Sequence, residues 1–350
     1  MTKRTIIGPT ICRQDVRWRQ HRCRAGLKQV VTAVGVVGGV GLCTSPAVAT
    51  TASGALSAAG PAPGTIFVAN SGANAQWAGG TGPGSVTWYP PSATGKARPE
   101  GVVTRGINGP GDITFDALGD LWVANETGTL VEYSKAELAK AFPLPTVTIS
   151  YGADGLAFDP SGDLWADKGT TVVEFTKAQL AKSGSPKPQV TISTSNNCSV
   201  AFDSSGDLWL GYDDSVSEWA KVELTRSGSP APKVTITSSS LSTPCKPAFD
   251  RSGDLWAGNF DGVTLVEFTK AQLARSGSPA PKVIISSPAI DLPGDVAVDG
   301  SGDLWVPNAG NNDLLEFTKN QLIKSGTPAP ARTISGPGTD NYPWAVAIEP

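Results

Sequence analysis

The groups in this chain with most to offer chemically are the carboxylates of Asp112, Asp154 and Asp295, accompanied by the amine of Lys246. Three acids gathered at one place could hold a hard cation, because oxygen-rich carboxylate sets suit Ca2+ and Mg2+. A solvated acidic rim is the plainer reading of the same residues. Tyr342 and Trp344, two residues apart, could stack on a sugar or peptide, or could plug a seam. Trp77 and Tyr212 add aromatic surface elsewhere.

Other chemistries are excluded by what is missing. The single histidine, His21, lies in a segment that reads as a leader. Without it, residues 50–350 cannot build a Ser–His or Cys–His nucleophile or a histidine-containing zinc site. Their two cysteines, Cys198 and Cys245, cannot make an all-thiolate metal site. Gly79-Gly80-Thr81-Gly82 is followed by Pro83 rather than lysine, so no phosphate-cradling loop is present.

The leader reading rests on order. A basic stretch runs to Lys28, an apolar one from Val30 to Leu42, and Ala47-Val48-Ala49 offers a small-x-small cleavage site. The expectation is a signal peptide over 1–49 and export to the medium or cell envelope, with no membrane span after cleavage. Loss of that segment removes eight basic residues and one acid. It leaves 20 basic against 30 acidic side chains, a net charge of −10. So acidic a chain has no electrostatic reason to seek nucleic acid. Residues 50–63, rich in Ala, Gly, Ser and Pro, read as a flexible linker.

The elements that must position these groups are announced by repetition. A nine-residue unit occurs at Thr114–Trp122, Ala157–Trp165, Ala201–Trp209, Ala248–Trp256 and Ala297–Trp305. Its tryptophans are 43, 44, 47 and 49 residues apart, the spacing of a solenoid or propeller. Within the unit, apolar residues end one strand and begin the next, and Asp-x-Ser-Gly-Asp between them supplies turn chemistry. The aspartates therefore read as turn caps. A third strand follows, carrying Glu132, Glu174, Glu218, Glu267 or Glu316 in register, and these glutamates read as structural. Capping boxes such as Thr176-x-x-Gln179 mark a short helix. Gly184, Gly228, Gly277 and Gly326 are expected to end those helices in the left-handed conformation. A fourth strand completes each unit.

A sixth unit is divided between the termini. Gly64–Asn70 (GTIFVAN) matches a second strand and Ala345–Glu349 (AVAIE) the missing first strand. The fold class is thus all-β: a six-bladed β-propeller over residues 64–350, closed by the C-terminal strand. The pattern P-x-x-[AI]-x-[DE]…G-D-L-W-[VA]-x-N, at Pro110–Asn125 and Pro293–Asn308, resembles the NHL-repeat and related six-bladed propellers. That resemblance implies architecture; the fold hosts scaffolds and enzymes alike. The similar virginiamycin B lyases are expected to use a histidine with acids and magnesium, and residues 50–350 contain no histidine. Gluconolactonase-like propellers hold a divalent ion through an early Glu-Gly-Pro strand, where this chain reads Asn108-Gly109-Pro110. No catalytic residue carries over from either.

In such a ring, the loops entering first strands and leaving second strands share one face. That face would collect Asp112, Asp154, Lys246, Asp295, Tyr342 and Trp344, with Tyr212 and Trp77 in the other loop set. The repeated Asn70, Asn125, Asn259 and Asn308 read as strand ends bonded to local backbone. Cys198 and Cys245 fall at equivalent places in adjacent blades and suggest a disulfide. The leading expectation is a non-catalytic, monomeric binding propeller that takes a protein, glycan or small molecule on this loop-rich face and needs no cofactor. A metal-assisted lactonase or lyase using Asp112, Asp154 and Asp295, and a structural envelope protein, are the alternatives.

Overall fold

The computed structural model describes residues 60–72, 82–195 and 197–350; the leader, most of the linker and Trp77 lie outside them. The described chain is a six-bladed β-propeller of four-stranded antiparallel sheets. The first blade joins Ile66–Asn70, Ser85–Tyr89 and Gly101–Val103 to the C-terminal strand Pro343–Ile348, which pairs with Ile66–Asn70 as the innermost strand. Blades two to six follow in order, each starting from one of the repeated units: 110–149, 155–193, 200–237, 248–285 and 297–335.

Both aspartates of the repeated turn have structural employment. Asp159 Oδ1 accepts the N–H groups of Ser161 and Asp163, while Oδ2 accepts Trp165 Nε1–H at 3.4 Å. Asp163 Oδ1 then takes the N–H of Lys177, the first residue of the short helix Lys177–Leu180. The same bonds recur around Asp203 and Asp207, and around Asp299 and Asp303. The turn therefore aims a tryptophan and starts a helix at once. Each tryptophan lies between blades: Trp122, Trp165 and Trp209 meet Phe158, Phe202 and Phe249 of the next blade edge to face. Their burial supplies much of the apolar contact around the ring.

The four glycines expected as helix caps do something else. None of them has a positive φ. Gly184, Gly228, Gly277 and Gly326 form parallel bridges to Ile149, Ile192, Ile236 and Ile285, the outermost strands of the preceding blades. Gly184 donates its N–H to the Thr148 carbonyl and accepts from Ser150 N–H, and Ser183 Oγ accepts from Thr148 N–H. The helices are single turns whose ends need no left-handed residue, because the chain continues extended to cover an otherwise unpaired edge. Gly95 bridges Ile334 in the same way at the closing seam.

Candidate functional site

The six first strands run beside the axis in register, so equivalent residues form layers across the channel. Asp112, Ser199, Lys246 and Asp295 occupy one layer, with Gly155 and Ala345 completing it. Lys246 reaches across the ring to Asp112, its Nζ 2.9 Å from both carboxylate oxygens and 3.1 Å from the Leu156 carbonyl. Asp112 is fully buried. Its Oδ1 also accepts Ile113 N–H, and its Oδ2 accepts Leu156 N–H and the Ser199 hydroxyl. Asp295 Oδ1 accepts Lys246 N–H, whereas Oδ2 is buried without a partner. Burial, then the Asp112 charge, push the Asp295 carboxyl well above its ordinary range. Gly155 is small because a Cβ there would come within 2.3 Å of Ser199 Oγ. Together these residues form a polar diaphragm bonded across the channel.

Toward the loop side of the axis, aromatic residues pack together. Trp344 is buried, stacks on Tyr342 at 6.2 Å and meets Phe260 edge to face at 5.2 Å. It shares an apolar cluster with Cys245, against which Cys198 packs. Cys198 and Cys245 are joined in a disulfide, their Cα atoms 5.1 Å apart. Trp344 thus presents little surface for stacking a ligand. Tyr212 is half-buried and shares a hydrogen bond with Ser217.

Asp154 stands apart from the Asp112–Lys246 pair. Burial raises its carboxyl, and it contributes to the rise of Asp167. Asp167 lies level with Ala124 and Gly258, one residue before the place held by Asn125 and Asn259, which in its own blade is Lys168. Those asparagines are buried and hold the loop entering their own blade, Asn125 through Gly106 O and Asn108 N–H, and Asn259 through Ser240 O and Ser242 N–H. Asp167 instead accepts from the Asn197 amide of the next blade. Among the described residues, the carboxylate groups close enough to share one ion are Asp159–Asp163–Glu174, Asp250–Asp254–Glu267 and Asp299–Asp303–Glu316. The trio named from sequence is not among them, since an ammonium fills the place between Asp112 and its neighbours.

Below the diaphragm, on the face of the repeated turns, the axis opens into a cavity of about 490 Å³. Phe115, Phe158, Phe202, Phe249, Val298 and Ile348 contribute one side chain per blade to its wall. Ala157, Ala201, Ala248, Ala297 and Ala347 line it deeper in, and Lys246 reaches its floor. The inner strand edges add N–H and C=O groups that no further strand pairs. The described axial cavity thus opens on the face of the repeated turns, opposite the loop-rich face expected to take a ligand. Ser199 and the ring of phenylalanines escaped the reading from sequence, although aligning the first strands would have placed Ser199 level with Asp112.

No protein-family model and no curated protein sequence matches the chain. Solved structures do. A protein of unknown function from Bacteroides caccae is similar over 81% of this chain and 98% of its own, with a TM-score of 0.54 and 10% identity. A chain of a nidogen/laminin complex is similar over 82% and 99%, with a TM-score of 0.55 and 12% identity. A virginiamycin B lyase from Staphylococcus aureus, in an inactive form with quinupristin, covers 76% and 82% at a TM-score of 0.46 and 14% identity. These likenesses are to the propeller fold.

Proposed function

We propose that this chain is an exported, non-catalytic binding propeller whose ligand enters the axial cavity from the face of the repeated turns. The observation that carries the proposal is the cavity itself: phenylalanine and alanine walls above a floor where Lys246 is held by Asp112. Such a surface suits a small molecule or peptide end with an apolar body and a polar tip, since apolar walls supply affinity and a few fixed polar groups supply orientation. The carboxylate best placed for general-base or metal-ligand work, Asp112, already accepts from two backbone amides, a hydroxyl and an ammonium. A metal-assisted lactonase or lyase would need it free.

The test uses 1-anilino-8-naphthalenesulfonate, an aromatic probe with an anionic tip. The intact chain should bind one equivalent with enhanced fluorescence. Ala248→Trp, which fills the cavity, should abolish binding while circular dichroism and melting stay normal. Binding unchanged by that substitution, or stoichiometric bound metal with chelator-sensitive lactone hydrolysis, would overturn the proposal.

A further inference from the structure

Five blades carry a glutamate on the third strand, each opposite the tryptophan of its repeated unit: Glu132, Glu174, Glu218, Glu267 and Glu316. In three of them the start of the fourth strand supplies a cation. Lys233 Nζ lies 2.5 Å from Glu218, Lys282 Nζ lies 2.9 Å from Glu267, and Arg332 forks onto both oxygens of Glu316. The two lysines also approach the second aspartate of their turns, Asp207 at 3.7 Å and Asp254 at 3.5 Å. These slots share one build. A third-strand glutamate and a turn aspartate flank a cationic head, and the lysine stem stays on the surface, the two side chains being 53% and 47% exposed.

The second blade has the same acids, and among the described residues no cation pairs with Glu132. Thr146 holds the place of Lys233 and Lys282, its N–H bonded to Glu132 O as theirs are to Glu218 O and Glu267 O. The Thr146 hydroxyl is taken up by Ser134 N–H, and Lys135, which starts the blade's helix, pairs with Glu349 instead. Glu132 is nevertheless only 8% exposed, and burial, then the charges of Asp120 and Asp116, push its carboxyl up to about 7. The indole opposite differs as well. Trp165, Trp209 and Trp305 donate to Asp159, Asp203 and Asp299, whereas Trp122 Nε1 is buried without a partner. Asp116 holds its turn through Oδ1, which accepts from Leu118 and Asp120 N–H, and its second oxygen is not taken by the tryptophan.

We propose that this slot binds the ammonium end of an alkyl amine between Glu132 and Asp120, as the fourth and fifth blades bind their own Lys233 and Lys282. A lysine side chain of a partner protein and a free diamine present the same chemistry. Three acids and a buried unpaired carboxylate are costly without a cation, so a ligand that supplies one relieves a penalty already built into the blade. A divalent metal fits less well. Carboxylate oxygens of the third, fifth and sixth blades lie close enough together to share one ion, but those of Asp116, Asp120 and Glu132 are not among such groups. The third blade also lacks a cation, with Gln189 in the lysine position, yet its Glu174 is more open and its Asp159 is occupied by Trp165.

n-Butylammonium, the lysine side chain as a free ion, is the probe. Titrated into the full chain at pH 8, it should shift the Trp122 indole and Thr146 amide NMR resonances, with a Kd on the order of millimolar for so small a ligand. Neutral n-butanol should shift neither. Glu132→Gln should weaken binding at least tenfold. Thr146→Lys, which places the cation on the chain itself, should abolish the shifts while the circular dichroism spectrum is kept. Cadaverine and the peptide acetyl-Gly-Lys-Gly-amide separate the two sources: tighter binding of the first supports a free amine, and of the second a protein partner. No shift at Trp122 and Thr146 at tenfold the expected Kd would overturn the proposal. So would equal shifts with n-butanol, or shifts that persist in Thr146→Lys.

Discussion

Replacing Gln189 by lysine should stabilise the protein above neutral pH and do almost nothing in acid. In the fourth and fifth blades the third-strand glutamate is met by a lysine. Lys233 Nζ lies 2.5 Å from Glu218 and 3.7 Å from Asp207, and Lys282 Nζ lies 2.9 Å from Glu267 and 3.5 Å from Asp254. Arg332 serves Glu316 in the sixth. The third blade places Gln189 in that position, its N–H bonded to Glu174 O as Lys233 N–H is to Glu218 O. Glu174 is left with Asp163 and Asp159, and burial together with those charges pushes its carboxyl up to about 7. A rise from 4.5 to about 7 corresponds to ~3 kcal/mol in a dry site. Glu174 is partly exposed, and solvent screening leaves about 1 kcal/mol. The folded-state pKa is raised, so this carboxyl favours folding below its unfolded value near 4.5, and the benefit is lost as pH rises through about 7. Gln189→Lys supplies the missing cation where Glu174 is ionised. Melting by circular dichroism should therefore rise by about 2 °C at pH 8 and by under about 0.5 °C at pH 5. An equal gain at both pH values, or a loss at pH 8, would refute the electrostatic reasoning.

Glu132, pushed up to about 7 mainly by burial, has Thr146 where the fourth and fifth blades have lysine. Glu132→Gln should thus flatten the decline of melting temperature between pH 5 and 8, measured on the same samples. Converting both Cys198 and Cys245 to serine opens a cross-link spanning 47 residues of sequence. The loop-entropy expectation is ~4 kcal/mol, read as a fall in melting temperature of about 8–15 °C. Lys246→Met leaves Asp112 and Asp295 facing each other without a cation and should cost about 3–5 kcal/mol in urea denaturation. Adding Asp112→Asn should recover much of that loss, because the remaining groups are then neutral or free to protonate.

The ring, its closure and its turns were legible because each rests on local chemistry repeated five times. Asp203, Ser205, Gly206 and Asp207 satisfy one another within a few residues, and Ala345–Glu349 completes a pattern visible at Gly64–Asn70. The disulfide was approachable because Cys198 and Cys245 share a repeat position. The site was less legible, since it is made by residues far apart in sequence meeting on the axis. Asp112 and Lys246 were each noticed, but nothing local shows that one neutralises the other across 134 residues. Counted as separate loop acids, Asp112, Asp154 and Asp295 suggested a metal; placed in the layer, Asp112 belongs to an ion pair. Gly184 was misread for a related reason: its partner, Ile149, lies in the preceding blade, while a helix ends just before it in sequence. Trp344, readable from sequence as stacking surface or as a seam plug, is buried against Phe260 and Tyr342, residues whose approach nothing local announces.

Which end of the axis receives a ligand is settled most directly by a crystal structure of the protein with 1-anilino-8-naphthalenesulfonate bound. The account predicts the naphthalene ring among Phe158, Phe202 and Phe249, with the sulfonate directed toward Lys246. A probe seated on the opposite face, beside Tyr342 and Tyr212 with the axial cavity empty, would contradict it.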